Sequence, residues 1–193
     1  MMTDDDQKAV SAVLDFWFGA PDSEEYGNTR MEWFKKDDSF DDQVRTILLP
    51  LHDKAVKGEL NHWVDNAWSG LALCIVLDQA PRNIFRNSSL SFASDAKARE
   101  IAHQLVSAGL DQVVLPVMRT FIYLPFEHSE ILEDQKLSMK LFEALGSVDL
   151  LLYAQRHYDI VERFGRFPHR NEVLGRENTS EEGEFLSQPN SSF

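Results

Sequence analysis

Apolar positions along the chain recur at helical spacing almost throughout, and the breaks between runs are marked by Gly, Pro and capping residues. Thr3 ahead of three aspartates marks a helix start. Val10, Val13, Leu14 and Trp17 then follow on one face until Gly19 and Pro21 end it. Residues 20–36 read as a loop pinned to the core by Trp33 and Phe34. From Ser39, the positions Phe40, Val44, Ile47, Leu48, Leu51 and Ala55 predict a second helix that kinks near Pro50 and stops at Gly58. The segment from Ala67 to Gln79 is apolar on all sides between Leu71 and Leu77, which predicts a central buried helix ended by Pro81.

Ser94-Asp95 reads as the cap of a helix with the face Ala98, Ile101, Ala102 and Leu105, and Gly109 as its stop. Pro116 suits a first helical position, and Val117, Phe121 and Leu124 predict a buried face up to Pro125. Ser129, followed by Glu130 and Glu133, reads as the N-cap of a helix that uses Leu137, Leu141 and Ala144 and ends at Gly146. Leu150, Tyr153, Ala154, His157, Ile160, Val161 and Phe164 predict the next helix, ending at Gly165. Thr179-Ser-Glu-Glu182 is a capping box for a last short one. No segment sustains strand alternation. The expectation is an all-α fold of about eight helices packed as antiparallel hairpins, in one domain over residues 1–188 with a frayed tail over 189–193.

Composition narrows the partners. With 32 acidic against 19 basic residues the formal net charge is −13, which disfavours nucleic acid. No apolar run approaches the roughly 20 residues of a membrane span, so no membrane partner is expected. The single cysteine, Cys74, lies in an apolar run and reads as a buried, unreactive residue; one cysteine fits a reducing, cytoplasmic setting.

Three stretches carry polar groups at helix ends: Asp78, Gln79, Arg82 and Asn83; Glu127 and His128; and Arg163, Arg166, His169, Arg170 and Asn171. If Ser129 caps a helix, Glu127 and His128 stand at its entrance, where free N–H groups orient anions. Two readings stand. The arginines and carboxylates tie helix ends together, or the three groups meet in one cleft that binds a small carboxylate or phosphate. In the second, Arg82 and Arg166 hold the anion, Glu127 orients His128, and His128 exchanges a proton with it. No metal or cofactor is expected: Glu100 and His103 have the spacing of one di-iron ligand pair, but no second pair exists, a metal site from Glu127, His128 and His169 is the weaker alternative, and no phosphate-cradling Gly motif or serine elbow occurs. His157, on an apolar face, reads as a buried hydrogen-bonded histidine in preference to a ligand.

The stretches Leu77-Asp-Gln-Ala-Pro-Arg-Asn-Ile-Phe-Arg86, Tyr123-Leu-Pro-Phe-Glu-His-Ser-Glu130 and Arg163-Phe-Gly-Arg-Phe-Pro-His-Arg-Asn171, with Leu174-Gly-Arg176 and Thr179-Ser-Glu-Glu182 after them, resemble the bacterial family known as domain of unknown function nine-two-four. The resemblance runs from about Val13 to Leu186. It implies a tetratricopeptide-like helical fold and no particular reaction. That fold suggests an alternative function, a scaffold whose concave face holds a protein or peptide partner.

Overall fold

Helices form where the spacing predicts them. The computed structural model describes residues 2–189 and 191, and no strand occurs among these residues. In order they are α1 (Asp4–Phe18), α2 (Asp38–Val56), α3 (Ala67–Cys74), α4 (Ala80–Ile84), α5 (Asp95–Ser107), α6 (Pro116–Glu127), α7 (Leu132–Leu145), α8 (Val148–Phe164) and α9 (Ser180–Leu186). The chain gathers into two compact units. One comprises the residues up to Arg86 with Leu90–Pro125, the other Asn87–Ser89 with the residues from Phe126 onward. Of the tail expected over 189–193, residues 190, 192 and 193 lie outside the described residues.

In the first unit, Thr3 and Asp6 close a capping box at the start of α1. The Asp6 carboxylate also accepts from Trp63 Nε1 and bonds His62 Nε2, each at 3.0 Å, so one acid caps the start of α1 and anchors the turn Asn61–Asp65. The Thr3 backbone N–H, then Trp63 and His62, hold its carboxyl well below the usual range. Trp17, Phe18, Trp33 and Phe121 pack largely edge to face. Trp33 pins the loop through Nε1, which donates to the Trp17 carbonyl at 3.0 Å, and Arg30 adds a bond to the Phe16 carbonyl at 2.8 Å. The expectation that both rings anchor it is corrected, since Phe34 is 59% exposed and touches the Trp33 ring from the outer side.

The central buried helix does not stop at Pro81. α3 passes through a π-helical segment, Ile75–Gln79, into α4, where Pro81 sits in the first turn. Proline has no N–H to return to the preceding turn, and the Ser94 hydroxyl donates to the Leu77 carbonyl at 2.6 Å instead. Ser94 is thereby committed elsewhere and makes no side-chain cap on α5. The expected α5 face, Ala98, Ile101, Ala102 and Leu105, is buried as predicted.

In the second unit, α7 and α8 form an antiparallel hairpin, closed by Gly146 at φ +80°. Two expectations are corrected here. α6 does not end at Pro125 but runs two residues beyond it to Glu127, and Ile131, not Ser129, is the N-cap of α7. Ser129 Oγ instead accepts from Ile131 N and donates to the buried Asp134, while Gln135 Nε2 reaches back to the carbonyls of Glu127 (2.6 Å) and Ser129 (2.7 Å). The buried side of α7 is therefore polar, Asp134, Gln135 and Ser138 with Phe142; Ala144 is exposed. On α8 the buried face is Ala154, His157, Ile160 and Val161, while Tyr153, expected inside, is 50% exposed. Ile160, Val161 and Phe167 make a small core against Leu132, Phe164 and Phe185.

Two glycines test the packing. A Cβ on Gly70, in α3, would come within 2.4 Å of a Leu105 methyl and 3.2 Å of its Cγ, whereas one on Gly183, in α9, meets nothing within 4 Å. Gly70→Ala is expected to lose about 1–2 kcal/mol in urea unfolding, and Gly183→Ala to gain about 0.5–1 kcal/mol. Cys74 is fully buried, and burial with the nearby Asp78 charge pushes its thiol well up. Native protein is expected to resist a thiol reagent that labels it promptly in denaturant.

Candidate functional site

The first polar stretch lies in the first unit and is closed by carboxylates. Asp78 and Gln79 fall in the π segment, and Gln79 Nε2 donates to Asp78 Oδ2 at 2.6 Å. Arg82 donates to both oxygens of Asp95 at 2.9 Å and to the Asp78 carbonyl at 2.6 Å. Burial disfavours its charge, but the charges of Asp78 and Asp95 outweigh that and raise its pKa further. Asn83 donates to Asp41 at 2.7 Å, and Arg86 forks onto the same carboxylate. These bonds join α4 to α2 and α5.

The second and third stretches come together in the second unit. Glu127 is the last residue of α6 and His128 the next, so they stand at a helix C-terminus. The helix-entrance expectation is corrected, because α6 continues through Pro125 and α7 starts later. Phe167 lies at the middle of the cluster. The His157 ring centroid is 5.5 Å away, the His169 ring 5.6 Å, and the Arg170 guanidinium lies 4.5 Å over its face; the His128 ring is 6.2 Å from that of His157. His157 Nδ1 is 2.9 Å from the Tyr153 carbonyl and 3.3 Å from Glu127 Oε1. A carbonyl only accepts, so Nδ1 carries the proton and Nε2 is the basic nitrogen.

Burial, then the positive neighbours His128, Arg170 and His169, push His157 down to about 3, against the Tyr153 carbonyl. The ring that stands 3.3 Å from Glu127 Oε1 is therefore neutral. His169 is pushed down to about 4 by burial and by Arg170, with Glu130 opposing.

The remaining predicted residues are engaged in ties. Arg166 forks onto Glu182 (2.6 and 2.8 Å) and reaches the Glu177 carbonyl, and Arg163 bonds the exposed Glu181. Arg166 first, then the Thr179 N–H, hold Glu182 at about 2 against its burial. The buried Asn171 accepts from Arg176 and donates to Asn178. Sequence reasoning left out Glu130, Arg176 and Glu182 as site residues and set His157 aside as core. Glu130 accepts two bonds from Arg176 and one from the Phe167 N–H. The signal was present, since Glu130 and Arg176 lie within quoted motifs, but a partner 46 residues away leaves no periodic trace. Among the described residues, no group of three or more His, Cys, Asp or Glu side chains is placed to hold a metal ion.

These features define an all-helical protein with a buried histidine and arginine cluster in its second unit. The chain belongs to the family described as a bacterial protein of unknown function, DUF924, which it matches over residues 13–190. A solved structure described as a protein of unknown function, ATU0120 from Agrobacterium tumefaciens, is 40% identical, with 94% of this chain and 98% of that one covered and a TM-score of 0.84. No curated protein matches. No described helix is long and apolar enough to cross a membrane.

Two measurements follow. Arg82→Ala leaves Asp95 and Asp78 without their guanidinium and is expected to cost about 3 kcal/mol in urea unfolding. The second concerns pH. Neutral His157 and His169 bind fewer protons folded than unfolded below the ordinary value of 6.5. Their stabilisation is then full above about pH 6.5 and is lost as pH falls towards 4. Urea midpoints should drop across that window, with a shallower slope in His157→Asn and His169→Gln.

Proposed function

We propose that the protein binds a small anion, a carboxylate or a phosphate, at the cluster around Phe167, and that His128 exchanges a proton with it. The observation that supports this reading is that two imidazoles and the Arg170 guanidinium gather about one buried ring, Phe167, with a third imidazole, His128, beside His157, and that His157 and His169 are held far from their ordinary protonation. Arg170 supplies fixed positive charge and Glu127 orients His157. His128, half-buried beside His157, is the group placed to meet a ligand. In this reading Arg82, Arg163 and Arg166 with Asp78, Gln79, Asn83 and Asn171 hold the scaffold, because their polar groups already close on one another or on acids. A cytoplasmic setting is part of the proposal, on the support of one buried thiol.

The alternative, an interaction scaffold of tetratricopeptide-like hairpins, draws support from Val148, Leu152 and Tyr153 on α8, which are 81%, 49% and 50% exposed. In that reading a protein or peptide covers α8 and the polar ties only fix helix geometry.

A thermal-shift series with sulfate, phosphate and oxalate, at ionic strength matched with chloride, separates the two. A ligand at 100 times its dissociation constant adds about 2.7 kcal/mol, roughly 5–10 °C for a chain of this size. The wild type should shift, His128→Ala and Arg170→Lys should shift less or not at all, and Arg166→Ala should melt lower yet keep its shift. Equal shifts in all four proteins would remove the anion site and leave the scaffold.

A further inference from the structure

The cluster in the second unit carries no surplus of fixed positive charge. Its guanidiniums are Arg166, Arg170 and Arg176; its carboxylates are Glu127, Glu130 and Glu182, with Asp134 beside them on Ser129. Arg166 closes on Glu182 and Arg176 on Glu130, both with paired hydrogen bonds. Arg163, further along α8, is matched by Glu181. While the imidazoles are neutral, the side chains of this unit offer an arriving anion no surplus of positive charge. Three groups there can change that by taking a proton: His128 after α6, His157 on α8 and His169 in the turn Pro168–Arg170.

We infer that an anion enters this cluster together with a proton carried by its imidazoles, so that binding tightens as pH falls. The inference rests on the anion-binding reading above and specifies how that site is regulated. Its geometry is a chain of rings. His128 faces His157, His157 and His169 both flank Phe167, and Arg170 covers the Phe167 face. A negative charge anywhere along this chain lies close to at least one imidazole and offsets the cost of burying its charged form. Most of the groups that face the two buried imidazoles oppose a positive charge, and one carboxylate stands by each. His157 meets His128, Arg170 and His169, with Glu127 3.3 Å from Nδ1; His169 meets Arg170, His128 and Arg176, with Glu130 opposing. The unliganded cluster disfavours protonation of both, and an anion reverses the balance. Because Nδ1 of His157 is already a donor, the proton goes to Nε2, which turns that nitrogen from an acceptor into a second donor. The reaction is a proton transfer from solvent to imidazole; no covalent bond to the anion forms or breaks.

Titration calorimetry on the full chain tests this with sodium sulfate and sodium oxalate, neither of which takes up a proton between about pH 5.5 and 7.5, where histidine does. Runs in buffers of different ionisation enthalpy read the protons taken up per anion. The expected result is uptake approaching one proton, with affinity falling by up to about tenfold for each pH unit gained. Uptake should shrink in at least one of His128→Ala, His157→Asn and His169→Gln; three substitutions guard against one that fails to fold. Binding that is independent of pH, with no proton uptake, would overturn the coupling and leave the anion site intact. Uptake undiminished in all three variants would overturn it as well. Absence of binding by either anion at every pH would instead remove the anion-binding reading, and the coupling with it.

Discussion

The Glu130 carboxylate is the point on which the second unit depends. It stands just ahead of α7, and three donors converge on it: two from the Arg176 guanidinium and one from the Phe167 backbone N–H. Burial works against its charge, yet the Arg176 bonds, the Phe167 N–H and the positive fields of Arg176 and Arg170 keep it below the usual carboxylate range. Arg176 also donates to the Phe167 carbonyl and to Asn171, so both ends of the turn that carries His169 and Arg170 are held through one ion pair. A partly buried fork of this kind contributes geometry more than net energy, since its desolvation offsets much of the attraction. The consequence is positional. Phe167 is fixed from two sides, and the rings packed on it inherit that fixity.

The first unit reaches a similar end by another route. There an interruption of the helical ladder creates the polar centre. Pro81 and the π segment leave the Leu77 carbonyl to the Ser94 hydroxyl, and the widened turn places Asp78 and Gln79 inside, where a regular helix would carry apolar side chains. Arg82 then connects that buried turn to the start of α5 through Asp95. In both units a guanidinium fork joins segments that local sequence alone would leave unconnected.

This division explains what the sequence revealed. Helices with an amphipathic face and a local cap were readable, because every determinant lies within a few residues: the boxes at Thr3 and Thr179 and the apolar stripe of α5 are of this kind. The misread positions share a different trait, a polar group whose partner is remote or unexpected. Ser94 stands at the N-cap of α5 as expected, but its hydroxyl goes to a carbonyl 17 residues away, and Ser129 looks like a cap yet donates to Asp134. Leu137 and Ala144 fit the apolar template for α7, yet Asp134 and Gln135 are buried because the carbonyls at the end of α6 and the Ser129 hydroxyl need polar partners. The ring chain was foreseen only in part. His128, His169 and Arg170 stood out in composition, whereas His157 was masked by the apolar face it shares with Ile160 and Val161.

That masking bears on function. A histidine buried among apolar side chains is ordinarily a neutral hydrogen-bond donor and nothing more, and His157 does donate to the Tyr153 carbonyl. What sets it apart is the sign of its surroundings. Placing His128, Arg170 and His169 near His157 opposes a charge on its ring, which an apolar residue packed at those positions would not do. Repulsion among groups that can be neutral is tolerated cheaply, because His157 and His169 respond by losing their protons. In the proposed reading the arrangement is stable when empty and becomes attractive when a negative charge arrives, unlike a closed ion pair such as Arg166 with Glu182.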